Sequence, residues 1–514
     1  MMTGRNVQTN GASWASVAIA LISTLLLCGG CYAGHTAVGP GGLASGDRRE
    51  VVIGVGAEPV NLDFTTTAGA AIPQLLLNNV YETLVKVDQN GGIIPLLAES
   101  WTLSDDRTVY DFYLRQGVTF SNGQPFTAAD VVASFDRTQT DWLNAISHSM
   151  DIIVSTEAVS DYQVRVTLAQ PSNEWLFRLG TAPGAIFPVD ITWDLRTEAI
   201  GTGPYRIIDV SPGNNITLEG REEYWGVKPG MDIVTIQYLL DTTAAVNALR
   251  AGDIDMLFNL TSGDQARALE DVVGIQVVAG TSTGDILWSF NNQREPFTDI
   301  RVRQAMAHAV DRAAIMEAVA AGYGTLVGAM VTPQDPYFED LSSFYPYDPE
   351  LARQLLAEAG QQNLSLSLDV PNLFYATQAA ELIVSYLAQV GVTATINMLE
   401  FPAVWLDQVF TNHNFDTSII MHSEPRDLLT VFGSPEYYVG YDNPLVMELA
   451  AAADALSEPE WIAQMQHVVR LITADCPGVV LYLAPTLIVA DVNLAGLRPN
   501  GVTESMDLTE LHWQ

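Results

Sequence analysis

Two stretches of the chain read strand, helix, strand in the same way, and they limit the fold more than any other feature. In "VTIQYLLDTTAAVNALRAGDIDMLF" (234–258) an apolar strand leads into a helical stretch, Gly252 closes it and a second apolar strand follows. "LSLSLDV" (364–370), a helix over Ala376–Val390 closed by Gly391, and "VTATINML" (392–399) repeat that order. Strands joined through a helix lie parallel, with the helix on one face of their sheet. Two units far apart in a 514-residue chain, longer than one core usually supports, predict two α/β lobes.

Shorter signals fill in the rest. In "RTVYDFYL" (107–114) Tyr110, Phe112 and Leu114 alternate with Val109, Asp111 and Tyr113, the pattern of a half-buried strand. "SNGQPF" is a turn, and "TAADVVASFDR" opens a helix with Thr127 at the N-cap and Asp130 three residues on, as in a capping box. In "TDIRVRQAMAHAVDRAAI", Val302, Ala305, Met306, Ala309, Val310 and Ala313 form one stripe, predicting an amphipathic helix that covers a sheet.

The charge balance excludes whole classes of partner. With 23 basic and 60 acidic residues the net charge is -37, which repels nucleic-acid phosphates and anionic lipid head groups. No nucleic-acid partner is expected. The same field favours cationic ligands; only Lys86 and Lys228 are lysines.

The N-terminus reads as an export signal. Arg5 precedes the apolar run Ala12–Leu27, and "CGGC" (28–31) follows. A basic start, a short apolar stretch and small residues before a cut describe a secretory signal. Gly29 and Gly30 before Cys31 resemble a bacterial lipobox, which makes Cys31 the expected lipidated residue and residues 1–30 the signal peptide. An uncleaved anchor is the alternative, although the run is short for a span of roughly 20 residues. Residues 31–49 are Gly-rich and read as a tether. Cys476 then remains as a free thiol, so burial rather than disulfides must hold the fold.

Several chemical motifs fail on context. "GTSTG" (280–284) has the spacing of a serine-hydrolase elbow, but "DILWSFNN" after it alternates like a strand where the elbow needs a helix. A strand-to-strand crossing fits better. "VVIGVGAEP" places Pro59 where a dinucleotide fingerprint needs a Gly-opened helix. Asp253 and Asp255 read as solvated strand-end charges, and His413 and His422 are too far apart for a local metal clamp. No cofactor or metal is expected, and no nucleophile–base–orienter set is visible, so an enzyme is not expected.

Taken in order, the landmarks resemble the family 5 extracellular solute-binding proteins of ABC importers, the peptide/nickel type. The fullest match is "LAESWTLSDDRTVYDFYLRQGVTFSNGQPFTAADVVASFDR" (97–137), with Trp101, Leu114, Arg115, Gly117, Val118, Gly123, Gln124, Pro125, Ala129, Asp130 and Val131. "GTGPY" (201–205), "YWG" (224–226), "GDID" (252–255), "FTDIRVRQAMAHAVDR" (297–312), "YDPELARQLLAEAG" (347–360) and "YDNP" (441–444) follow in family order. The resemblance implies a periplasmic-binding-protein-like α/β fold of two lobes, two crossover segments and an extra domain inserted in the first lobe. On this sequence lobe I would take 50–81, 201–280 and 490–514, the insert 82–200 and lobe II 281–489, with crossovers near Gly280–Asp285 and Leu483–Ala490. It further implies a monomer, lipid-anchored at the outer face of the membrane or in the periplasm, that closes over a ligand and presents it to an ABC permease with its ATPase subunits.

The expected ligand contacts sit in "MHSEPRDLLTVF" (421–432), after the apolar strand "FDTSIIM". Ligands of open α/β sheets bind beyond the carboxyl ends of strands. His422, Glu424, Arg426 and Asp427 are therefore the polar candidates, with Trp288, Tyr375 and Trp405 as apolar walls. Peptide-binding relatives commonly carry an Ala-Asp-Tyr-x-x-Pro segment here, whose carboxylate holds an amino terminus. This chain replaces it, and with no Arg or Lys between Leu364 and Glu381, Arg426 is left as the expected anion contact. A small polar solute, with a peptide as one candidate, is the leading reading. A nickel or metal chelate, or a non-transport envelope regulatory lipoprotein, are the alternatives.

Overall fold

The computed structural model describes residues 48–67 and 69–514; the expected signal peptide (1–30), Cys31 and nearly all of the expected tether (31–49) lie outside the described residues. Ten strands form one mixed sheet, in the order Thr393–Leu399, Ser365–Pro371, Thr417–His422, Ile275–Phe290, Gly478–Asp491, Met256–Phe258, Glu50–Val55, Ile233–Tyr238, Asn215–Gly220 and Tyr205–Ser211. The two strand–helix–strand units lie on opposite sides of its middle. Ser365–Pro371 pairs parallel with Thr393–Leu399, and Glu50–Val55 pairs parallel with Ile233–Tyr238 and Met256–Phe258.

Two long strands join these sets. Ile275–Phe290 and Gly478–Asp491 pair antiparallel along most of their length, with the register shifted between Thr281 and Asp285. The "GTSTG" segment therefore lies inside one continuous strand, as its alternation predicts. A strand that serves two cores must change what it buries midway. Val277 packs against the core that holds Leu249, Leu487 and Val489, while Ile286 and Trp288 belong to the core that holds Met306, Leu368 and Ile419.

A separate antiparallel sheet, Ala98–Leu103, Val109–Leu114, Gln163–Leu168 and Ile153–Ser160, encloses its own apolar core with Phe112, Phe126, Phe135 and Trp175. Tyr110, Phe112 and Leu114 are buried as their alternation requires. Ala182, Ala185, Phe187 and Ala199 pack instead with Val51, Tyr81 and Tyr205, so the end of this segment is shared with the neighbouring core.

Helix Ala128–Thr140 carries the capping box. Asp130 accepts the Thr127 N–H at 2.8 Å through Oδ2, and through Oδ1 also the N–H of Val189 at 2.9 Å. Asp130→Ala removes the acceptor of both at a buried position. It is expected to cost about 2 kcal/mol in chemical denaturation.

Two local expectations need correction. The stripe over 299–313 is broken into helices Ile300–Ala309 and Arg312–Ala320, because Val310 is extended and the Asp311 side chain caps the second helix at Ala314 N–H. Ala313 is consequently exposed. Asp255 is buried rather than solvated, accepting from the Val52 N–H and pairing with Arg48, each at 2.8 Å. Cys476 is a buried free thiol, and no helix among the described residues is long and apolar enough to cross a membrane.

Candidate ligand site

The strand Thr417–His422 runs beside Ile275–Phe290 so that His422 lies opposite Asp285 and Met421 opposite Ile286. Side chains alternate across a sheet, so Asp285 and His422 share one face while Ile286 and Met421 share the other. On the first face the chain leaves the strand through Ser423, Glu424, Pro425, Arg426 and Asp427, then enters the short helix Leu428–Phe432. Thr283 Oγ1 donates to the Ser423 carbonyl at 2.7 Å, tying this exit to the crossing segment.

His422, Glu424 and Asp427 come together. One donor atom of each lies within 4.8 Å of the other two, with His422 and Asp427 buried and Glu424 exposed. His422 Nε2 bonds to the Tyr438 hydroxyl at 3.1 Å, which leaves Nδ1 facing Asp427 Oδ2 at 3.6 Å. That separation is too long for a hydrogen bond. Burial lowers the His422 pKa to about 4, so the imidazole is neutral at pH 7.

The carboxylates around it are not balanced. Burial, and next the Asp427 charge, hold the Asp285 carboxyl well above its ordinary range. Burial and then Glu424 do the same to Asp427. Glu504 is raised by burial, with the Glu424 charge adding to it. Asp285 Oδ1, Asp427 Oδ2 and Glu504 Oε2 are buried oxygens without a hydrogen-bond partner among the described residues. Buried acceptors in that condition require a cation, a proton or water.

Arg426 does not supply the free anion contact expected of it. Its side chain is 4% exposed, and it donates to Asp335 through Nε and to Glu174 through Nη1, each at 3.1 Å. The guanidinium lies over the Phe177 ring, 3.7 Å from its centroid. Arg178 donates to the carbonyls of Pro425 and Arg426 at 2.9 and 3.2 Å. Asp454 accepts the N–H groups of Asn173 and Glu174 at 2.7 and 2.9 Å. The segment 172–178 is therefore bolted to residues 425–456. Arg426 sits at φ 54°, a left-handed conformation that costs a non-glycine residue about 1 kcal/mol or more and is held by these bonds.

The aromatic expectations largely fail. Trp288 is fully buried, edge-on to Phe290 with centroids 5.1 Å apart. Trp405 is buried beneath the His422 face, its Nε1 donating to Ser418 Oγ at 3.0 Å. Both are core residues: Trp288, on its strand, packs with Met306 and Ile419, and Trp405, on the helical turn Ala403–Trp405, packs with Phe415 and Tyr438. Tyr375 accepts the Met421 N–H at 3.0 Å and lines a cavity of about 140 Å³ with Phe374, Met421, Ile286 and Tyr482, on the face away from His422. Sequence reasoning missed Asp285, Asp335, Glu174 and Glu504. Asp285 carried a signal, being the one charged residue of the strand Ile275–Phe290.

A mixed sheet crossed by two long shared strands, with a polar seam beside the crossing, defines a periplasmic-binding-protein-like molecule of two lobes. The family described as bacterial extracellular solute-binding proteins, family 5 middle, matches residues 92–427, and the chain belongs to it. This is the class that captures a ligand for ABC import. The chain is 30% identical to the glutathione-binding protein GsiB of Escherichia coli over 68% of its own length and 70% of that protein. It is 33% identical to heme-binding protein A of Haemophilus influenzae, over 55% of this chain but 57%, little more than half, of that relative. Its fold matches the periplasmic binding protein DppA of Helicobacter pylori, solved with the peptide STSA, at a TM-score of 0.75 and 23% identity, covering 90% of this chain and 98% of that one.

Proposed function

We propose that the chain closes its two lobes over a small polar solute, a short peptide, and delivers it to an ABC permease with its ATPase subunits. The observation that carries this reading is the set of buried, unpartnered carboxylate oxygens at the seam, on Asp285, Asp427 and Glu504. A solute with a positively charged end supplies what they lack, and a peptide amino terminus has that chemistry. Glutathione and the peptide STSA, the ligands named for two of the similar proteins, are both peptides. The lobes are assigned as 50–81, 201–280 and 490–514 against 281–489, with 82–200 inserted in the first. The N-terminal run, Cys31 and the Gly-rich stretch after it support a lipid-anchored protein at the outer face of the cytoplasmic membrane or in the periplasm.

Native mass spectrometry of the full chain from its own cells, and again after exposure to a mixed short-peptide digest, tests this. One peptide per chain is expected. Asp285→Asn should weaken that binding about tenfold or more without lowering the melting temperature, since it removes a buried charge and keeps the shape. An uncharged solute such as a sugar in the seam, or peptide binding indifferent to Asp285→Asn, would overturn the reading.

A further inference from the structure

We propose that the outer strand Thr393–Leu399 is a self-association edge, at which two copies of this chain pair antiparallel about a two-fold axis at Ile396 and join their large sheets into one. The inference goes beyond ligand capture and does not depend on the seam. It sets a dimer in place of the monomer that the resemblance implies.

An open sheet edge is a template for another strand, and chains blunt such edges with charges and bulges. The two larger sheets end in four outer strands. Tyr205–Ser211 carries Arg206 and Asp209, with a register shift between Ile207 and Asp209. Ala98–Leu103 carries Glu99 and a shift between Ala98 and Ser100. Ile153–Ser160 carries Glu157 and two shifts. Thr393–Leu399 has neither device: its seven residues run in unbroken register beside Ser365–Pro371, and none is charged. Met398 stands on it 69% exposed.

The backbone shows how a copy fits. The Thr393 N–H donates to the Leu364 carbonyl at 2.8 Å, and the Leu399 carbonyl accepts the Asn372 N–H at 2.9 Å. Residues 393, 395, 397 and 399 therefore turn their backbone groups inward, and Ala394, Ile396 and Met398 aim theirs out from the sheet. Pairing about Ile396 sets Ile396 against itself and Ala394 against Met398 of the copy. Each such pair exchanges two hydrogen bonds, and the contact is self-complementary, as a two-fold requires. Ala394 and Ile396 pack against the core that also holds Ile383 and Leu387 of the helix Phe374–Gln389. A two-fold perpendicular to the sheet keeps that helix and its copy on one face, flanking the joined strands.

Charge selects a second copy as the occupant. Chains of net charge -37 repel each other, so two of them meet only where neither presents charge. Across 374–399, the helix and the edge together, Glu381 is the only charged residue, in a chain where 16% are charged. A basic partner would be met by acidic side chains, and this strand has none. Two strands separate the edge from Ile275–Phe290, so pairing there extends the sheet away from the seam.

Analytical ultracentrifugation of the full chain over a concentration series tests this. A reversible dimer of micromolar dissociation constant is expected, tightening as added salt screens the repulsion. Met398→Pro removes an outward N–H, and Met398→Glu puts a charge on the edge. Both should weaken association at least tenfold and leave the melting temperature of the dilute chain unchanged, since Met398 is exposed. Val210→Glu, on the outer strand at the other end of the sheet, should change nothing. A chain that stays monomeric at every concentration, or a dimer indifferent to both Met398 variants, overturns the proposal. Benzoylphenylalanine in place of Met398, irradiated in the chain's own cells, identifies the occupant. A crosslinked product of two copies is expected, and a product with a different protein alone overturns the second copy.

Discussion

Replacing Arg426 by alanine is expected to destabilise the chain by about 3 kcal/mol, read as a lower midpoint in chemical denaturation and a lower melting temperature. The cost lies in what stays behind. Asp335 and Glu174 each lose a charge-assisted hydrogen bond of 3.1 Å, and the Phe177 ring loses the guanidinium covering it. Removing one member of a buried pair costs about 3–5 kcal/mol, because the partner charge remains in place without compensation. Glu174 keeps 26% of its side-chain exposure, so water offsets part of that cost and the lower end of the range applies. Arg426→Lys should recover only part of the loss: it keeps the charge but neither the two-way fork nor the stacking on Phe177. An Arg426→Ala chain as stable as the parent, with weaker solute binding, would restore Arg426 to the role of a free ligand contact.

Replacing Trp288 by alanine should cost about 3–5 kcal/mol, the range for emptying a large aromatic from a core. Trp288 has no exposed surface and packs among Ile286, Phe290, Met306 and Ile419. A pocket wall behaves differently, because its removal lowers ligand affinity and leaves the unfolding midpoint nearly unchanged. Denaturation of Trp288→Ala alongside Trp405→Ala, which should also be destabilised, distinguishes the two roles directly.

Much of the fold was legible because its signals are local. The periods of residues 109–114, 234–258 and 364–399 describe elements that form from neighbouring side chains, and Thr127 with Asp130 marks a helix start within four residues. The break at Val310–Asp311 was not legible, since the apolar stripe runs through it and the interruption comes from a cap rather than from hydrophobicity. For the candidate site, the sequence placed the loop 422–427 at a strand end, where the structure has it, but not the groups it pairs with. Glu174 and Asp335 reach Arg426 across 252 and 91 residues of sequence, and only the folded chain brings such groups together. Trp288 and Trp405 were misplaced for a related reason: an aromatic next to a candidate site has the same sequence appearance whether its ring faces the seam or the core. Asp285 was the missed opportunity, a lone carboxylate in an apolar strand, where a buried charge is costly unless it has a task.

Spin labels at Val154 and Leu445, exposed positions in the strand Ile153–Ser160 and the helix Pro444–Ala453, give the most direct test of closure about the seam. Pulsed distance measurements on the full chain should show a short population that grows when peptide is added, and a longer one that dominates in Arg426→Ala. One unchanging distance, the same with and without peptide and the same in Arg426→Ala, would contradict a molecule whose halves close on a guest.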